Sequence, residues 1–117
     1  MKTFRIPLRV IFYKEDGCWV AHCLEFDLCG DGASKEEALR ELFESIKIQV
    51  EETVRHNNPR NLFTPASSEV QERFFAGKHT TIQGEIKLTI EPLIIEDTEY
   101  REYSEDSADS SRDSVTA

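Results

Sequence analysis

Along residues 3–13 the apolar and polar side chains alternate: Phe4, Ile6, Leu8, Val10 and Phe12 on one face, Thr3, Arg5 and Arg9 on the other. A period of two predicts a half-buried β-strand, and Pro7 within it predicts an edge position or a bulge, because proline has no N–H to give to a ladder. Lys14-Glu15-Asp16-Gly17 follows, and Asp-Gly supplies the positive φ angles of a tight hairpin. Residues 18–24 are apolar on both faces except for His22, which predicts the central strand, covered on part of its second face. After Glu25-Phe26-Asp27, the run Leu28-Cys29-Gly30 predicts a short third strand that ends at Asp31-Gly32-Ala33.

The period then changes from two to 3.6. Ser34 and Glu37 form a capping box, and Ala38, Leu39, Leu42, Phe43, Ile46, Val50 and Val54 follow as one apolar stripe. Glu36 and Glu37 place negative charge in the first turn, as the helix dipole favours, and Asn57-Asn58-Pro59 stops the helix. Residues 56–66 read as a loop. A second, short helix over about 67–76 is predicted from Ser68 with Gln71 as a cap, Val70 with Phe74 at i,i+4, and Gly77 as its end. Residues 81–91 predict a last strand, with Ile82, Ile86, Leu88 and Ile90 set against Gln83, Glu85, Lys87, Thr89 and Glu91. Pro92 interrupts it before the apolar trio Leu93-Ile94-Ile95. The order β-β-β-α-(α)-β is an α+β domain with a long helix packed on one face of a small sheet.

Composition alters this picture in one place. The 117-residue chain carries a formal net charge of −9. Six of those negative charges come from residues 96–117, where eight acids face two bases. The stretch after Tyr103 is so poor in apolar residues that ordering it brings little burial in return. The expectation is therefore a domain over residues 1–97 and a disordered acidic tail over 98–117. The low positive charge disfavours nucleic-acid binding through bulk charge. No apolar run approaches the roughly 20 residues of a membrane span, and the interleaved charges of residues 1–9 do not make a signal peptide, so a cytoplasmic protein is expected. Cys18, Cys23 and Cys29 show no CxxC spacing, and His22, His56 and His79 complete no zinc pattern. Buried reduced thiols are expected, with no metal and no cofactor.

The segment from Phe12 to Leu39 has a recognisable spelling. Asp16-Gly17, Trp19-Val20-Ala21, Glu25-Phe26, Cys29, Gly30 and Glu36-Glu37-Ala38-Leu39 stand in the order of an acidic-Gly hairpin, an aromatic with Val-Ala, a corner, a Gly-Cys and a Glu-Glu-Ala-Leu helix. Over roughly residues 4–55 this resembles the HicB family of type II antitoxins and its solitary HicB-like relatives. Leu24 stands where that pattern has proline, and Leu28 where it has the glycine before cysteine. The resemblance implies a partial ribonuclease-H-like fold without a catalytic apparatus. It also implies a toxin–antitoxin role: binding and masking a small, basic, RNA-cleaving HicA-type toxin. Many family members add a helix-turn-helix or ribbon-helix-helix unit. No such segment is visible in this chain, so direct DNA binding is not expected.

The residues expected to carry partner binding are Trp19, His22, Glu25, Phe26 and Asp27. For Trp19 and Phe26 the alternative is core packing under the long helix, and for His22 it is a hydrogen-bonded structural role. A homodimer is expected. Ile48, opposite the helix stripe, and Leu93, Ile94 and Ile95 are the candidate contacts between copies, the trio having packing back on its own domain as the alternative. Two other functions stay open: a degenerate ribonuclease-H-like nuclease built on Glu25, Asp27 and Asp31, and a nucleic-acid-binding regulator.

Overall fold

The structure, a computed structural model, describes residues 4–56, 63–82, 88–90, 93–95 and 97–104. The strand expected over 3–13 is two strands, β1 (Phe4–Ile6) and β2 (Arg9–Glu15), and they belong to different sheets. Pro7 separates them, and the buried Leu8 turns its carbonyl to the N–H of Glu99 at 2.8 Å. The apolar phase survives the break: Leu8, Val10 and Phe12 share one core, with Ile6 packed against it.

β2 pairs antiparallel with β3 (Cys18–Cys23), and β3 with β4 (Leu28–Gly32). The hairpin between β2 and β3 turns through Asp16 (φ 52°) and Gly17 (φ 80°), as Asp-Gly predicts. α1 (Lys35–Arg55) begins with Ser34 Oγ accepting from Glu37 N at 3.1 Å, while Glu37 Oε2 accepts from Ala33 N at 3.3 Å. The expected stripe is buried except at its end, where Thr53 takes the buried position and Val54 is exposed. At 100° per residue, Thr53 lies closer than Val54 to the line through Ile46 and Val50. The stop at Asn57-Asn58-Pro59 lies outside the described residues.

α2 (Ser68–Ala76) is capped by Ser67 rather than Ser68: Ser67 Oγ accepts from Val70 N at 3.4 Å, and Gln71 Nε2 donates to Ala66 O at 2.8 Å. A two-residue β5 (Lys78–His79) comes next, then β6 (Leu88–Ile90), β7 (Leu93–Ile95) and β8 (Glu99–Glu102). Of the strand expected over 81–91, residues 83–87 and Glu91 lie outside the described residues, and Thr81 and Ile82 are not in a strand.

The larger sheet is mixed and five-stranded, in the order β4-β3-β2-β8-β5, with β8 parallel to β2. The central strand is thus β2 and not β3. Both of its faces are covered: Val10 and Phe12 pack under α1, whereas Ile11 and Tyr13 pack with Val70 and Phe74 of α2. The helices lie on opposite faces of this sheet, a layer more than the single covered face the sequence suggests. A separate three-stranded sheet runs β1-β7-β6.

The acidic-tail expectation fails over residues 98–104. β8 inserts between β2 and β5, Tyr100 is buried with its ring 5.9 Å from that of Phe12, and Tyr103 N donates to Phe12 O at 2.8 Å. One aromatic and a strand partner on each side are enough to order a charged segment whose charges are paired. Arg101 Nε meets Glu99 Oε2 at 3.0 Å, and Lys35 Nζ meets Glu102 Oε1 at 3.2 Å. Residues 105–117 of the expected tail lie outside the described residues. Among the described residues no helix is long and apolar enough to cross a membrane.

Candidate functional site

The corner between β3 and β4 is tied to the start of β2. Leu24 N donates to Arg9 O at 3.0 Å, a bond that proline at this position lacks the N–H to make. The Glu25 carboxylate accepts from Arg9 N and from Arg9 Nε, both at 2.8 Å. Phe26 is buried in the core under α1 and carries the half-exposed Phe63 against it, ring centroids 5.4 Å apart. Asp27 then takes a left-handed backbone, φ 52°, which aspartate tolerates better than most side chains.

That conformation brings Asp27 Oδ1 to 2.8 Å from His22 Nε2. A carboxylate only accepts, so Nε2 carries the proton of this bond, and Nδ1 stands 3.3 Å from the Tyr13 hydroxyl. Burial pushes the Tyr13 hydroxyl above its ordinary pKa, against the pull of Arg73. The result is a polar chain, Asp27–His22–Tyr13, across the α2-side face of the sheet.

Trp19 lies at the other end of β3 and on the opposite face, packed against the α1 core. Lys14 Nζ and Lys35 Nζ stand 5.1 and 5.4 Å from its ring centroid. Beside it opens a cleft of about 710 Å³, which Tyr13, Lys14, Glu15, Arg73 and Tyr103 also line. Arg73 sits 4.6 Å over the Tyr13 ring and 5.9 Å from that of Tyr103, with its charge shared by Glu69 at 3.0 Å. The cations here are stacked on rings or paired with acids.

Of the five residues expected to bind a partner, the structure joins only His22 and Asp27. Glu25 is held by Arg9, Phe26 takes the core-packing alternative, and Trp19 is half-buried on the far side. Ile48 is 60% exposed on the outer face of α1. Ile95 is fully buried, and β7 has β1 on one edge and β6 on the other, so both edges of the trio's strand are paired within its own chain.

The sequence offers Asp31 as a nuclease carboxylate and Cys29 as a thiol, and the structure sets both along the edge strand β4. This strand ends the five-stranded sheet, so its outer edge has no strand neighbour among the described residues. On one face it presents Cys29 and Asp31, both exposed. On the other, Gly30 and Gly32 lie directly beneath α1. A Cβ on Gly30 would stand 2.3 Å from Leu42 N and 2.7 Å from Glu41 C, and one on Gly32 would stand 2.7 Å from Glu37 Cγ. Alternation in Leu28-Cys29-Gly30-Asp31-Gly32 was the available signal: two glycines in phase mark a face pressed against backbone.

Three carboxylates act together on the Cys29 thiol. Burial raises its pKa first, and the charges of Asp27, Asp31 and Glu15 raise it further. Cys29 pairs in register with His22, yet its thiol is biased toward the neutral form, the opposite of what an activated nucleophile needs. Only Cys23 fits the buried thiol expected of all three cysteines, and burial pushes it up to about 12; Cys18 and Cys29 are exposed. Among the described residues no three His, Cys, Asp or Glu side chains are grouped to hold a metal ion. No family model, no curated protein and no solved structure matches the chain.

Proposed function

We propose that this chain is a non-catalytic binding module of the HicB-like kind, an antitoxin or a solitary relative. On this reading a partial ribonuclease-H-like scaffold covers a small, basic, RNA-cleaving protein of the HicA type in the cytoplasm. The observation that carries the proposal is the border of the β4 edge, which has no strand neighbour among the described residues: the Glu37 side chain lies over the strand on the α1 side, with the exposed Glu41 one turn further along the helix, and Asp27 and Asp31 stand on the other side. A basic partner gains association rate and selectivity from such a border. The nuclease alternative draws no support from the carboxylates it would use. Glu25 is turned to Arg9 and Asp27 to His22.

The test is co-expression with a HicA-type ribonuclease. Growth should be restored and the two chains should purify together. Asp31→Lys combined with Glu41→Lys should weaken the complex by about tenfold or more, equivalent to about 1.4 kcal/mol, with the circular dichroism spectrum unchanged. Normal toxin activity in the presence of the folded chain would overturn the proposal. A homodimer belongs to the same reading, with Ile48 as its remaining exposed candidate contact. Ile48→Glu should then convert the dimer to monomer in sedimentation equilibrium.

A further inference from the structure

Among the described residues no strand pairs with the outer backbone of β4. Edge strands in folded proteins are commonly blunted by lysine, proline, a bulge or a covering segment. β4 reads Leu28-Cys29-Gly30-Asp31-Gly32, with no lysine and no proline, and its side chains are short. Two glycines let the helix lie directly on one face of the strand, so that Gly30 is buried beneath α1 and no side chain from these positions projects beside the edge. Unpaired N–H and C=O groups along such an edge are met at lowest cost by another extended segment.

Charge selects the segment. A strand laid along β4 would send alternate side chains to the two faces. On the α1 side they would meet the Glu37 side chain, which overlies Gly32; the exposed Glu41 follows one turn along α1, its backbone against Gly30. On the other side they would meet Asp31 and, near the corner, Asp27. Cations of the neighbouring elements are engaged elsewhere: Lys35 with Glu102 and the Trp19 ring, Lys14 with the Trp19 ring, and Arg9 with Glu25. A second copy pairing through its own β4 would bring a second Asp31 and Asp27 against the first pair, and like charges opposite one another destabilise a ladder.

We infer that the open edge of β4 is a strand-addition site for an extended basic segment of a partner protein, with Lys or Arg presented to both of its faces. The inference deepens the binding-module reading and rests on it for the identity of the partner. A five-residue match spans about 17 Å at the usual rise of a strand.

The test uses the full chain, labelled with ¹⁵N, and a capped eight-residue Lys–Val peptide of repeating Lys-Lys-Val-Val, which as a strand sends lysine to both faces, at low salt. Its controls are the Glu–Val counterpart and two Lys–Val peptides N-methylated at every second residue, one in each phase. The amides of residues 28–32 should shift most. The Lys–Val peptide should bind at least about tenfold tighter than Glu–Val. Methylation in one phase should abolish binding, while methylation in the other leaves it. Shifts centred away from β4, or equal binding by both methylated peptides, would mean a charge-only association and would overturn strand addition. The two proposals fail separately. A chain that neutralises the toxin while β4 ignores the basic strand keeps the function and loses the edge. A chain that takes the strand but leaves the toxin active does the reverse.

Discussion

Asp16, Asp27 and Asp97 hold left-handed backbone, at φ 52°, 52° and 59°, without being glycine. Asp16 does so for its turn, but Asp27 also uses its side chain, so backbone and hydrogen bond can be separated by substitution. Asp27→Gly keeps the left-handed φ and drops the bond to His22; Asp27→Ala loses both and should cost about 1–2 kcal/mol in urea unfolding, with Asp27→Asn milder than either. The thiols provide a second residue-scale test. At pH 8 a thiol reagent should label Cys18 first, then Cys29, which neighbouring carboxylates hold neutral, and Cys23 only on unfolding. Cys23 also gives stability a sign at high pH. Its thiol sits at about 12 in the fold against an ordinary 9.0, so the unfolded chain releases a proton that the folded one keeps. Stability from this group is intact below pH 9 and falls as pH rises from 9 toward 12, by up to about 1.4 kcal/mol per unit. Cys23→Ala should flatten that slope in denaturation curves taken at pH 8, 9 and 10.

At the scale of elements, two glycines show two different needs. Gly17 has open space where a Cβ would go, but its φ of 80° strains most other residues, asparagine and aspartate least. Gly30 has an ordinary φ and no space, since Leu42 N and Ala38 O stand 2.3 and 2.5 Å from the Cβ position. Gly30→Ala should therefore push α1 off β4 and cost about 1–3 kcal/mol, lowering the urea midpoint, whereas Gly17→Asn should be nearly neutral. The same contrast explains how much of the fold was legible. α1 was, because its stripe and its Ser34 cap are local. The hairpin was, because Asp-Gly is local too. β2 as the centre was not read, since Ile11 and Tyr13 are covered by an α2 more than fifty residues away in sequence; the unbroken apolar run Val10-Ile11-Phe12-Tyr13 was the one local sign that both faces are buried. The site followed the same rule. His22 and Asp27 are five residues apart and could be paired by eye. The placing of Glu37 over Gly32, with Glu41 one turn further along, emerges only once α1 lies on β4.

For the whole molecule the charge account changes meaning. Eight acids in residues 96–117 read as solvated tail, yet four of the residues in that segment form β8 at the heart of the larger sheet. Glu99 and Glu102 are held by Arg101 and Lys35, and Tyr100 seals the end of the α1 core beside Phe12. β8 closes the β2 edge over Arg9–Phe12 and is the only described link between β2 and β5. A chain ended at Asp97 therefore exposes the edge of the most buried strand and removes an aromatic from the core. It should bind a hydrophobic dye, lose its sharp thermal transition and aggregate through that edge. Tyr100→Ala in the full chain separates packing from pairing. It keeps the backbone ladder and should cost about 3–5 kcal/mol, the range for deleting a buried aromatic. If the chain ended at Asp97 instead melts cooperatively at the temperature of the full chain, β8 adds nothing to the fold and residues 98–104 are surplus to it.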